Sequence, residues 1–217
     1  MHPTAMYNCK RFFDTYAAAF QRPGTKVIEI GSQDVNGSLC DCCPSAFEYV
    51  GADLVSGKGV DVILEDPYSL PFETASTDIV ISSSCFEHSE MFWVLFLEIM
   101  RVLRPDGLFY LNVPSNGDFH QYPVDCWRFY PDSVRALVTW AKRSGMNPAL
   151  LESYTSVQIQ DQWNDYVAVY VKDENYAPSH PTRILASMKD CSNGVVLGSD
   201  GYFNYSAMPE DRMKMMW

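Results

Sequence analysis

The chain has 217 residues, 47% hydrophobic and 14% aromatic, enough apolar material for one sizeable domain with a packed core and unlike a disordered chain. Twenty-seven acidic against 16 basic residues give a net charge of −11 with no basic run, which argues against a nucleic-acid backbone or an anionic membrane as partner. No apolar run approaches the roughly 20 residues of a membrane helix, and the first 20 residues lack the apolar segment of a signal peptide.

Tyr7, Phe12, Phe13, Tyr16 and Phe20 form a rough helical stripe over residues 7–21, which Pro23-Gly24 ends. This helix reads as packing material, with a lid role for Tyr7 as the alternative. Next comes VIEIGSQDVNGSL, residues 27–39. Val27, Ile28 and Ile30 make a buried strand that runs into Gly31, and Gly37 follows six residues later. A glycine at a strand's end lets the backbone approach a ligand closely. Glu29 sits two residues before it, at the carboxyl end of the strand, where open α/β sheets bind ligands. The spacing is not the G-x-G-x-x-G of a dinucleotide site, and a carboxylate there would repel a pyrophosphate but attract an ammonium or sulfonium group.

A helix is predicted after this turn, then a second strand, FEYVGADL (47–54), ending at Asp53 and Leu54. Asp53 lies 22 residues beyond Gly31, the distance at which an acid accepts from two ribose hydroxyls. Residues 60–64 read as a third strand leading to Asp66, Pro67 and Tyr68. Residues 79–81 open a fourth, which leads into Ser82–Cys85. Residues 92–103 are apolar nearly all round, hence a buried helix, stopped by Arg104-Pro105-Asp106-Gly107 before a fifth strand over 108–113. Alternating strands and helices imply a doubly wound, mostly parallel sheet.

The loop GDFHQYPVDCWRFYP, residues 117–131, follows the fifth strand. It gathers His120, Tyr122, Asp125, Trp127, Arg128 and Tyr130, a composition suited to orienting a polar substrate. Of four histidines, His2 and His180 fall in expected tails. His120 is the first candidate for a general base, with Asp125 orienting its ring, and His88 is the second. Ser133–Ser144 reads as a surface helix, and residues 150–157 and 166–171 as the last two strands.

Seven cysteines, with Cys40, Cys42 and Cys43 in one turn, read as reduced thiols of a cytoplasmic protein. No Cys/His pair completes a zinc site, so no metal is predicted. A divalent cation shared by Asp118 and Asp125 is an undiagnostic alternative.

The E-x-G…G turn resembles the first motif of Rossmann-like S-adenosylmethionine-dependent methyltransferases. DVILEDPYSLPFETASTDIVISSSCFEH and EIMRVLRPDGLFYLNVPS are similar to the central block of that class I family. The resemblance covers about residues 25–171 and implies an α/β fold, a mostly parallel seven-stranded sheet with an antiparallel carboxyl-terminal edge hairpin. Beyond Lys172 the pattern fails, so the expected organisation is a methyltransferase domain over residues 1–172 and an edge-covering or partly disordered extension over 173–217. The resemblance also implies S-adenosylmethionine as cofactor, contacted by Glu29, Gly31, Ser32, Gln33, Gly37, Asp53, Leu54, Asp66, Pro67, Ser84, Cys85 and Glu87. The loop is similar to the H-x-x-P-x-D-x-x-R-F motif of bacterial methyltransferases that accompany glycan assembly. Methyl transfer to a hydroxyl of a sugar or glycan is therefore expected, a terminal deoxysugar such as rhamnose first. Tyr122, Trp127, Arg128 and Tyr130 would bind the acceptor and His120, His88 and Asp125 would catalyse. N-methylation of a small metabolite, protein methylation, a non-catalytic partner subunit and a nicotinamide dehydrogenase are the rivals. The Met-rich end, MKMMW, is a candidate self-association patch.

Overall fold

The computed structural model describes residues 1–20, 22–160 and 163–207. Its centre is one eight-stranded sheet: β1 (Lys26–Ile30), β2 (Glu48–Asp53), β3 (Val62–Ile63), β4 (Thr77–Ser83), β5 (Leu103–Pro114), β6 (Ala149–Ser156), β7 (Asp165–Val171) and β8 (Cys191–Val196), in spatial order β3-β2-β1-β4-β5-β7-β6-β8. The first five strands run parallel, and β7, β6 and β8 add on in antiparallel register. β1 and β4 are neighbours at the point where the strand order reverses, the place where such sheets hold ligands.

Both faces are covered, which explains why the central strands read as continuous apolar runs. On one face α2 (Phe92–Val102) and α3 (Ser133–Arg143) bury Phe96, Ile99, Met100, Val134 and Leu137 against Ile28, Val80, Phe109 and Tyr170. On the other face α1 (Pro3–Tyr16) packs Phe12, Phe13 and Tyr16 against Val27, Ile79, Ile81 and Tyr110. Pro3 opens α1 at a position where a missing N–H costs nothing.

The doubly wound α/β arrangement is present, with three departures from the expectation. The helix predicted after β1 is a single 3-10 turn, Leu39–Cys42; α1, from before β1, packs on that face. The sheet has eight strands where seven were predicted. The β6–β7 hairpin is not the edge, because β8 pairs with β6 outside it. The polar sequence after residue 172 hid β8, since Cys191–Val196 (CSNGVV) carries no period-2 alternation. Glu152 anchors this segment. Its buried carboxylate accepts from Tyr16 Oη at 2.5 Å, Ile184 N at 2.7 Å and Leu185 N at 2.9 Å, joining α1, β6 and the extension. His180, expected in a tail, is buried: its Nε2 lies 2.8 Å from Asp106 O and its ring stacks on Phe20. The MKMMW patch lies outside the described residues. Among the described residues, no helix is long and apolar enough to cross a membrane.

Candidate active site

The carboxyl ends of β1, β2 and β4 are brought together chiefly by backbone. Gly31 has φ +85°, and a Cβ on it would meet Cys85 Cβ at 2.7 Å, so the ends of β1 and β4 touch only because that side chain is missing. Its N–H and that of Ser32 donate to Ala52 O at 2.9 and 3.3 Å, tying the turn to β2. Asp53, at the end of β2, accepts from Gln33 N at 3.0 Å and Val55 N at 3.3 Å. The loop closes with Gly37 N donating to Asp34 Oδ1 at 2.7 Å, while Asp34 pairs with Lys58, which holds its carboxyl below the ordinary range. Ser32 Oγ is enclosed and has no hydrogen-bond partner. Across the cleft the Met1 thioether sulfur lies 3.5 Å from Ser83 Oγ and 4.0 Å from Ser84 Oγ. Ser84 itself adopts a left-handed φ of +49°, the kind of strained backbone that clusters at functional sites.

Four of the expected cofactor residues take other positions or partners. Glu29 lies on the α1 side of β1, within electrostatic reach of the Met1 amino group. It is 1% exposed and accepts from Tyr49 Oη, and burial pushes its carboxyl up to about 7. Its period-2 partners on the strand explain this, since Val27 and Glu29 point to the α1 face while Ile28 and Ile30 point to α2. Leu54 is exposed beyond the end of β2. Asp66 caps the turn at Tyr68 N at 2.8 Å, with Pro67 half-buried beside it.

On the acceptor side, residues 117–131 fold back over the short 3-10 turn Phe86–His88 that follows β4. Cys126 N and Trp127 N both donate to Glu87 O, at 2.8 and 3.2 Å, and Trp127 Nε1 donates to Ser89 O at 3.0 Å. Arg128 grips Asp125 with two parallel bonds, at 2.6 and 2.9 Å, and also donates to Asp118 O at 2.8 Å. Arg128 holds the Asp125 carboxyl down at about 2. The guanidinium expected to bind substrate is thus part of the loop's own frame. Asp125, expected to orient the His120 ring, accepts from that residue through its backbone N, at 2.7 Å. The ring's Nδ1 lies 3.5 Å from Asp125 and 3.0 Å from Asp118 O.

His88 and His120 nonetheless meet, one from each side, with ring centroids 5.0 Å apart. His88 Nδ1 lies 2.5 Å from Val124 O, and burial lowers its pKa, which keeps it neutral. Beside them Glu87 is fully buried, and that burial pushes its carboxyl up to about 8. Tyr122, whose ring lies 6.4 Å from that of His88, is exposed, as are Trp127, Tyr130 and Phe119 of the same loop; Trp127 packs on Phe92 and Trp93. Tyr122 Oη donates to Gln33 Oε1 at 2.7 Å and so bridges the acceptor loop to the β1 turn. The sequence reading missed Trp163, whose ring sits over Gly117 and 4.9 Å from His120, and Phe119. Phe119 lies within the loop's own sequence, whereas Trp163 reaches it only through the fold.

Residues 30–111 match the family model described as a methyltransferase domain. No curated protein matches the sequence. Among solved structures, the chain is similar to the 1,6-didemethyltoxoflavin-N1-methyltransferase of Burkholderia thailandensis, solved with 1,6-didemethyltoxoflavin and S-adenosylhomocysteine bound. That likeness has 16% identity and TM-score 0.58, and covers 78% of this chain and 79% of that one. A methyltransferase of Methanosarcina mazei follows at 11% identity and TM-score 0.53, covering 72% and 96%. The [4+2]-cyclase SpnF follows at 12% and 0.56, covering 78% and 82%, so the shared fold does not by itself fix the reaction. Residues 30–111, set on this doubly wound sheet, thus resemble a methyltransferase domain, and the sheet has the fold of the solved methyltransferases.

Proposed function

We propose that the protein transfers a methyl group from S-adenosylmethionine to a hydroxyl of a sugar or other polyol, with a deoxysugar as the first candidate and a reducing, cytoplasmic setting. The cofactor would lie along the Gly31–Gly37 turn. Asp53 would accept from the ribose, Asp66 and Pro67 would flank the adenine, and Ser84, Cys85 and Glu87 would border the methionine portion. The enclosed, unpartnered Ser32 hydroxyl and the thioether resting on Ser83 fit a ligand that brings polar atoms and sulfur to this cleft. When bound, the cofactor supplies an activated methyl on a sulfonium.

The chain's own residues then align and deprotonate the acceptor. Methyl transfer is an in-line displacement, so much of the rate comes from holding the acceptor oxygen in line. A hydroxyl is a weak nucleophile and gains from a group that takes up or loosens its proton. The observation that carries the reading is the meeting of His88 and His120 beside exposed Tyr122, which bridges to Gln33 in the β1 turn, on a loop that also exposes Trp127 and Tyr130. Aromatic faces hold the apolar faces of sugars, and the imidazoles handle the acceptor's proton. Asp125 and Arg128 position the loop.

Two measurements test this. Calorimetric titration with S-adenosylhomocysteine should show binding that Asp53→Ala weakens by about 1–3 kcal/mol, the scale of hydrogen bonds to a charged group. A methyl-transfer screen should then favour deoxyhexosides over amines of similar size. Preferential methylation of amines would overturn the hydroxyl reading while leaving the cofactor site intact.

A further inference from the structure

We propose that Glu87, His88 and His120 form a binding site for a divalent first-row cation, zinc-like in preference, placed to hold the acceptor's oxygen. One ligand atom from each residue lies within 4.8 Å of the other two. His88 Nε2 and Glu87 Oε1 are 3.8 Å apart, close to the roughly 3.3 Å between two ligands of a tetrahedral ion with bonds near 2.0–2.1 Å.

The hydrogen bonds at the back of each ring set the donor atoms correctly. His88 Nδ1 faces the Val124 carbonyl at 2.5 Å, and a carbonyl only accepts, so Nδ1 carries the proton and Nε2 keeps its lone pair. His120 Nδ1 has Asp118 O at 3.0 Å as its nearest partner, with Asp125 Oδ2 at 3.5 Å and the Arg128 guanidinium, a donor, at 3.4 Å; the nearest partner favours the same tautomer. A backbone carbonyl or carboxylate behind each imidazole is the usual outer support of a metal-bound histidine.

The third donor supplies an independent observation. Glu87 Oε2 is buried without a hydrogen-bond partner, an arrangement that is costly unless a ligand completes it. Asp118 and Asp125 are not part of the set, because Asp125 is locked to Arg128.

Two imidazoles and one carboxylate make a borderline donor set suited to zinc and its neighbours more than to magnesium. Three protein ligands leave a position open for a substrate oxygen. A hydroxyl bound there loses its proton to solvent more readily, so with the ion bound the imidazoles hold the cation in place of taking the proton themselves. Its oxygen lone pair then forms the bond to the methyl carbon as the carbon–sulfur bond breaks, and that electron pair stays on sulfur as the neutral thioether. The role of the ion rests on the hydroxyl-acceptor reading above, whereas its binding does not.

The test is titration of the chelator-treated full chain with Co²⁺, followed in visible absorption, and displacement by Zn²⁺. The expected result is a saturable band at one equivalent that Zn²⁺ removes. His120→Ala and Glu87→Gln should each weaken Co²⁺ binding at least tenfold. His120 sits on a partly exposed loop, so a melting transition like that of the wild type keeps that variant informative even if Glu87→Gln fails to fold. No band overturns the proposal, as does an unchanged affinity in His120→Ala. A near-ultraviolet thiolate band, which would assign the ion to Cys40, Cys42 or Cys43, also overturns it. Metal binding without sugar methylation would sink the acceptor reading alone. Chelator-resistant methylation with no Co²⁺ band would sink the cation alone.

Discussion

The two sides of the cleft are built by different means. On the cofactor side, the ends of β1, β2 and β4 are joined through backbone: Gly31 against Cys85, Gln33 N on Asp53, and the turn's N–H groups on Ala52 O. On the acceptor side, side chains hold other side chains and loop carbonyls: Arg128 to Asp125 and Asp118, Trp127 to Ser89, Tyr122 to Gln33. A site made from backbone geometry depends on which residues lack a side chain. A site made from side-chain pairs consumes much of the polar chemistry that its composition advertises.

The sharpest way to break this contrast is Gly31→Ala. A new Cβ at 2.7 Å from Cys85 Cβ and a left-handed φ leave it no place, so S-adenosylhomocysteine binding should vanish in calorimetry. Near-wild-type affinity would mean the cofactor side does not rest on that close approach. The next largest effect is expected on the other side. Arg128→Met should free the loop and lower turnover by about ten- to a hundredfold, the scale of an acceptor held an ångström out of place, with cofactor affinity unchanged. A parallel loss of both would show that the two sides are one unit, joined through Tyr122 and Gln33.

The smallest effect probes the exception on the cofactor side, a buried side chain. Glu29 has its carboxyl raised from 4.5 to about 7. Between those values the folded protein keeps a proton that the unfolded chain has released, so stability falls as pH rises through that window and levels off above it. The amount is roughly 1–3 kcal/mol, and Glu29→Gln should remove that part of the slope in denaturant unfolding between about pH 5 and 8. An unchanged slope would move the pH dependence elsewhere, with Glu87 as the next group to examine.

This division also explains what was legible. The positions of Gly31, Asp53 and the strand ends follow from spacing along the chain, because each lies at or just past the end of a short apolar strand. The glycine pattern says nothing about the burial of Glu29 or its Tyr49 partner, which come from the pairing of β1 with β2. Arg128 and Asp125 read as ligand groups because a sequence does not show that they satisfy one another. The pairing of His88 with His120 required the loop's return over the end of β4, a contact between positions 32 residues apart. β8 was hidden for a similar reason, since its pairing with β6 supplies what its own pattern lacks.

That eighth strand has a consequence for anyone trimming the protein. The methyltransferase-like segment can be taken to end with β7, and a shortened version stopping near residue 172 would look harmless. It would strip β8 from β6 and expose its unpaired amide and carbonyl groups, with Leu151 and Tyr154 no longer covered by the residues that follow. An open strand of that length is a template for adding strands from other molecules. Such a fragment should precipitate on concentration even where its cleft is intact.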